Sequence, residues 1–220
     1  MNDLIQLIQS KINKNEIVTD PETILREIVD VDKILINEIQ IGNLDRPDND
    51  LAKSRVFVVY GRNQNARSAM NTFLRSIGLT PLDWGELIEA CGTPSPHTID
   101  IVDAGFRLAQ AVVVLMTPDD EGRLREHLWS ETEPDDEKSL RYRPRQNILF
   151  EAGMAMSSHR RRTILIEIGR INIPSDLFGI FTVRLDNTLD KREDLVRRLR
   201  MSGCSVRLEE GWKQAGDFTL

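Results

Sequence analysis

From residue 55 onward, short β-branched runs alternate with helix-patterned segments, and that alternation commits the chain to a parallel sheet with helical crossovers. VFVVY (56–60) is apolar at every position, as a strand covered on both faces is, and it stops at Gly61. Ala66, Met70, Phe73, Leu74 and Ile77 recur at helical spacing, and Gly78 closes that helix. LTPLDW (79–84) reads as a short second strand running into a long loop over 85–97. A helix over 98–110 follows, with Thr98 as its cap, and AVVVLMT (111–117) is the clearest strand of all. Residues 121–143 are polar and charged, too long for an ordinary connection, and are expected to be mobile. A helix over about 144–158, a strand over 163–168, a turn at PSDLFG, a strand over 180–185 and a helix over 189–201 complete the pattern. The expected fold is α/β: a five-stranded parallel sheet in the flavodoxin-like order 2-1-3-4-5, with helices on both faces. Ligands of such a sheet sit beyond the carboxyl ends of its first and third strands.

The first fifty residues form a different unit. Leu4, Ile5, Ile8 and Ile12 mark one short helix, and Ile24, Leu25, Ile28, Val31 and Leu35 a second, started by Asp20 and Pro21. NLDRPDNDLAK (43–53) reads as a linker. The expected division is a helical segment at 1–50, serving packing, oligomerisation or partner binding, then a nucleotide-binding domain at 54–220. Charge follows the same division. The net charge is −6, and the first fifty residues hold five Lys/Arg against eleven Asp/Glu, so the remainder balances. That acidity argues against DNA binding. The densest basic groups, Arg141, Arg143 and Arg145 and then Arg160, Arg161 and Arg162, flank one segment, which suits a small anion better than a long polyanion. No apolar run reaches the ~20 residues of a membrane span. The start lacks a basic, cleavable leader, and the two cysteines are far apart without a metal-ligand pattern. A cytoplasmic location without membrane attachment is expected.

Three segments can carry chemistry. After the first strand, Gly61 permits a tight turn, and Arg62 and Arg67 supply cations near a helix start, an arrangement suited to phosphate. A plain turn with solvated arginines explains the same residues. Thr117-Pro118-Asp119-Asp120 can bind a ribose hydroxyl or a hydrated cation, or act as a simple turn or helix cap; two adjacent carboxylates are too few for a dedicated metal. In RPRQNILFEAGMAMSS, Ile148, Leu149, Ala152, Ala155 and Met156 share the core side. Asn147 and Glu151 lie a turn apart on the other side, bracketed by Phe150 and Met154. Partial burial of Glu151 would raise its pKa and fix its position. His97, His127 and His159 are dispersed, and none joins a nucleophile.

With VFVVYGRN (56–63), Arg67, VVVLMTPDD (112–120), RPRQNILFEAG (143–153) and IPSDLFGI (173–180), the chain resembles the bacterial TIR-like nucleotide-binding domains that serve as effectors in CBASS and Pycsar antiphage systems. The resemblance covers some three quarters of the chain. It implies a TIR-like fold and NAD⁺ glycohydrolase activity, with Glu151, the glutamate of RQN-x₃-E-x-G, as catalytic residue. It also implies substrate contacts around Gly61, Arg62, Asp119 and Asn147, to which the neighbouring Asn63, Arg67, Thr117, Asp120, Arg145 and Phe150 are added as candidates. Tyr60 stands where the family often has His, and Asn63 where it often has Asp. NAD⁺ enters as substrate and no cofactor is required. A homo-oligomer is expected, with the loop at 85–97 moving to admit substrate, and a cyclic-nucleotide-responsive partner or sensor is a further expectation. Two alternatives share the fold: a non-catalytic nucleotide-binding signalling module, and a nucleoside deoxyribosyltransferase-like enzyme.

Overall fold

The computed structural model describes residues 50–132, 138–174, 177 and 179–219. They belong to the second of two units into which the chain divides, Asp48–Leu220. The helices expected in the first fifty residues lie outside the described residues. After a single helical turn at Asp50–Lys53, the elements are β1 (Arg55–Val59), α1 (Gln64–Ser76), β2 (Thr80–Pro81), α2 (Trp84–Ala90), α3 (Thr98–Leu108) and β3 (Ala111–Met116). There follow β4 (Asp120–Gly122), β5 (Arg141–Arg143), α4 (Gln146–His159), β6 (Thr163–Glu167), β7 (Val183–Arg184) and α5 (Leu189–Met201), with short 3₁₀ turns between.

The main sheet runs β2-β1-β3-β6-β7, every neighbour parallel. With the small hairpin strands set aside, this is the expected order 2-1-3-4-5. The two-residue period of a strand then sorts the core into two layers. Val56 and Val58 of β1, Val113 and Leu115 of β3, and Ile164 and Ile166 of β6 face one side, where Phe73 and Leu74 of α1 and Leu195 and Leu199 of α5 cover them. Phe57 and Val59, Val112 and Val114, and Leu165 face the other, under Leu87 of α2, Val102 and Phe106 of α3, and Ile148 and Ala152 of α4. Close approach matters in that second layer: a Cβ at Gly105 would stand 2.7 Å from the Phe57 ring. No helix among the described residues is long and apolar enough to cross a membrane.

Four expectations need correction. The loop expected over 85–97 begins as α2, because the Asp83 carboxylate caps it by accepting the Gly85 N–H at 2.8 Å. Helix α3 is capped one residue before Thr98: the Asp100 carboxylate reaches back to the His97 N–H at 3.1 Å. The excursion expected over 121–143 contains the antiparallel β4–β5 pair, in which Asp120 stands opposite Arg143. Asn172 N–H donates to the Tyr142 carbonyl at 2.8 Å and ties this hairpin to the chain beyond β6. The strand expected over 180–185 pairs only at Val183–Arg184, as suits a sheet edge with one neighbour.

Candidate functional site

Asp119 joins the two turns that end β1 and β3. Its Oδ1 accepts the buried Thr117 hydroxyl at 2.7 Å, its own N–H donates to the Thr117 carbonyl at 2.8 Å, and its Oδ2 accepts the Arg62 N–H at 2.6 Å. The carboxylate is therefore locked by the strand it follows and in turn holds the strand next door. This closeness dictates Gly61. A Cβ there would collide with Asp119 Oδ2 and would stand 3.7 Å from Ile148 Cγ1 of α4. Gly61→Ala should lower stability by about 1–3 kcal/mol through that clash, and the Arg62 amide should lose its protection in hydrogen exchange. An alanine variant with an unchanged melting temperature would show that the turn yields freely.

Helix α4 brings the third group. It packs on β1, β3, β6 and α3, with Ile148, Ala152 and Ala155 buried. At about 100° per residue, Glu151 lies roughly 60° from Ile148 on one flank, and Leu149 lies on the opposite flank. Glu151 is half-buried, and burial pushes its carboxyl above the ordinary glutamate range. Asn147, one turn earlier, is exposed, and so is Phe150, at 64%. The outcome is a carboxyl held partly out of water on a helix whose Ile148 lies against the turn at Gly61.

Other sequence candidates have different settings. Asn63 caps α1, its Oδ1 accepting the Ala66 N–H at 2.9 Å. The Arg67 guanidinium stacks 4.2 Å from the Tyr60 ring centre. Asp120 is exposed on the hairpin, and Arg145 precedes the first turn of α4. The two arginine groups cannot share one small anion, because they lie at opposite ends of a 14-residue helix about 21 Å long. Arg162 is also committed elsewhere: it donates to the Phe106 carbonyl at 2.7 Å and to the Ala109 carbonyl, closing the end of α3. Among the described residues, no His, Cys, Asp or Glu cluster is arranged to hold a metal.

Sequence reasoning did not single out a cavity of about 620 Å³ on the Leu149 flank, walled by the hairpin, by the start of α4 and by Asn172 and Ile173. Its signal was hidden because DEG and RYR carry no strand-like alternation, so the hairpin that forms one wall was not legible. Asp119 lines this cavity too, and its carboxylate also holds the Arg62 amide.

A family model described as "CAP12/Pycsar effector protein, TIR domain" matches residues 55–187, from the first residue of β1 to the chain just past β7. Over 150 residues the chain is 31% identical to the uncharacterized protein YuaY of Escherichia coli (strain K12), covering 68% of this chain and 46% of that protein. The chain thus spans less than half the length of that relative. Strand order, the coupled turns at the sheet's carboxyl rim and the family match agree: the chain belongs to the CAP12/Pycsar effector TIR-domain family.

Proposed function

We propose that this TIR domain is an NAD⁺ glycohydrolase, an antiphage effector that releases nicotinamide when its chains assemble. The observation that carries the reading is the half-buried Glu151, fixed on the core-packed helix whose Ile148 lies against the turn at Gly61. Cleavage breaks the bond between ribose C1′ and the pyridinium nitrogen. The pair of electrons leaves with neutral nicotinamide, so no acid is needed on the leaving group. Positive charge develops on the ribose as an oxocarbenium ion, which an ionised Glu151 stabilises while accepting from a ribose hydroxyl. Water then adds at C1′ and loses a proton, giving ADP-ribose. Asp119 holds its turns in place, and the Arg62 and Arg145 side chains supply positive charge for the pyrophosphate.

Asn147 and Phe150 are exposed on the helix that carries Glu151, so a neighbouring subunit is the natural cover for the site. The same openness favours a second reading, a TIR module that binds a nucleotide and signals without cleaving it. Incubating the full chain with NAD⁺ at rising protein concentration separates the two. Nicotinamide release that climbs faster than protein concentration is expected; none at any concentration leaves the non-catalytic module.

The acid limb of activity carries a further expectation. The reaction needs Glu151 ionised, and its folded pKa is raised by burial. Activity should therefore fall with decreasing pH at a midpoint above that of an exposed glutamate. An acid limb at or below the ordinary glutamate value would remove Glu151 from the role.

A further inference from the structure

We propose that the amino rim of the main sheet is a docking surface for a bilayer rich in anionic lipid, an inference independent of the NAD⁺ reading. Because every strand pair is parallel, the strands start at this rim and the crossing helices end there. Hydrogen bonds tie the pieces into one surface. Arg162 donates to the Ala109 carbonyl after α3, and Gln110 Nε2 to the Ser202 carbonyl after α5 at 2.7 Å. The Ser205 N–H donates to the Lys53 carbonyl before β1 at 3.1 Å, and the Arg207 N–H to the Ile77 carbonyl after α1 at 2.9 Å. The ends of α1 and α5 on one face of the sheet, and of α3 and α4 on the other, therefore meet at one end of the domain.

Arginine gathers at that end. Arg75 closes α1, Arg160 and Arg161 follow α4, and Arg200 closes α5. All four are exposed, and their guanidinium groups have no partner among the described residues. Arg55 and Arg107 are matched by Glu86 and Asp103. The exposed Glu209, whose N–H donates to the Ser76 carbonyl at 3.2 Å, and the exposed Glu210 oppose them; with Arg162 and Arg207 included, the cations outnumber these acids. A cation at a helix end complements the helix dipole, which explains Arg75 and Arg200 taken singly. It does not explain two exposed arginines beyond the end of α4, nor apolar side chains in the same place. Met201 is 79% exposed and Leu208 45%, and with Arg200 they line a groove floored by the buried Trp212.

A planar anionic surface matches this pattern best. The free arginines come from helices on both faces of the sheet, so one small anion cannot reach them together. A polynucleotide would use the charges but leave Met201 and Leu208 in water. At a bilayer the guanidinium groups pair with lipid phosphates, while the two apolar side chains enter the boundary between headgroups and acyl chains. Each arginine near an anionic leaflet strengthens binding about fivefold. Such contact needs no spanning helix. It departs from the expectation of no membrane attachment because these cations are scattered in sequence and meet only in the fold. The turns joined by Asp119 lie at the opposite ends of the strands and stay clear of the lipid.

Sedimentation of the full chain with vesicles of phosphatidylcholine and phosphatidylglycerol tests the proposal. The chain should pellet with these vesicles, at least about tenfold more weakly with phosphatidylcholine alone, and less as salt is raised. Arg160→Gln combined with Arg161→Gln should weaken binding at least about tenfold, and an unchanged melting temperature checks that this variant is folded. If it does not fold, Arg200→Gln serves in its place, with about a fivefold loss expected. Arg62→Gln combined with Arg145→Gln removes the same charge from the carboxyl rim and should leave binding within about twofold of wild type, since screening confines the attraction to charges near the surface. Met201→Gln, which leaves the charge intact, should weaken binding severalfold. No binding to either vesicle, equal binding to both, or equal loss in the two double variants overturns the lipid surface. Binding of polyuridylate through Arg160 and Arg161 without binding to vesicles also overturns it, and makes the rim a nucleic-acid face.

Discussion

Replacing Glu151 by glutamine is expected to reduce nicotinamide release from NAD⁺ by at least about a hundredfold, the scale on which removing one preorganised electrostatic partner acts, while leaving the domain folded. The substitution is nearly isosteric, so the buried Ile148 and Ala152 of α4 keep their packing and the full effect falls on charge. A second readout guards against a trivial loss. Burial raises the folded-state pKa of Glu151, which means the folded chain holds this proton more tightly than the unfolded chain does. Its contribution to stability is present below the unfolded value near 4.5 and is lost as pH rises through the higher folded value. At neutral pH the ionised carboxylate is therefore a cost that glutamine lacks. The variant should melt at or above the wild-type temperature at pH 7, and this advantage should shrink as pH falls below the folded pKa. Inactivity combined with a higher melting temperature is the signature of a residue kept for chemistry at the expense of stability. Retained nicotinamide release in a folded variant would end the enzymatic reading.

That pairing of activity and instability marks the limit of what the sequence makes legible. The sheet could be read because β1 and β3 are apolar on both faces and the helices between them repeat at a different period; the order of the strands then follows from handedness and spacing. Helix α5 could be read to the residue, since Leu195, Val196 and Leu199 give it one buried stripe. Helix α2 was obscured although its signal was present. Asp83 is an ordinary N-cap, but the Gly and Pro residues that follow weigh towards loop when only local preference is considered. The hairpin had no such signal: β4 and β5 are three residues each and are held by pairing with each other across the intervening excursion, a non-local contact that local pattern does not encode. The site divides in the same way. Glu151 stands out as a carboxylate between apolar residues on a core helix. The coupling of Arg62 to Asp119 across 57 residues, and the cavity behind Leu149, depend on how turns and hairpin meet in space.

Arg192 shows how far tertiary context overrides residue type, and its removal is the largest stability effect expected outside the site. An arginine in the first turn of a surface-patterned helix would ordinarily be solvated, yet this one is only 2% exposed. Its Nη2 donates to the Gly216 carbonyl at 2.7 Å and to Asn187 Oδ1 at 3.1 Å, and its Nη1 donates to the Ala215 carbonyl. The guanidinium lies 5.0 Å from the Phe218 ring centre and 5.8 Å from that of Phe73. Burial lowers its pKa, opposed by the charges of Asp186 and Asp217. The same contacts fix the chain end at Gly216, where φ is +72° and a Cβ would run into the Ala69 carbonyl. Arg192→Met keeps an apolar stem but leaves the Ala215 and Gly216 carbonyls without their donor, a loss of about 3 kcal/mol for a buried charged donor. For a domain of this size that corresponds to a fall in melting temperature of about 6–12 °C. Arg192→Lys should recover only part of it, because one ammonium cannot serve the fork of acceptors that the guanidinium meets. The Phe218 amide, which donates to Asn187 Oδ1 at 2.9 Å, should exchange faster in both variants. The layer containing Phe73 and Phe218 lies across the sheet from α4, so nicotinamide release per folded molecule should be unchanged well below the melting temperature. A melting shift smaller than about 2 °C in Arg192→Met would mean that the buried guanidinium gains no more from these carbonyls than it loses in leaving water.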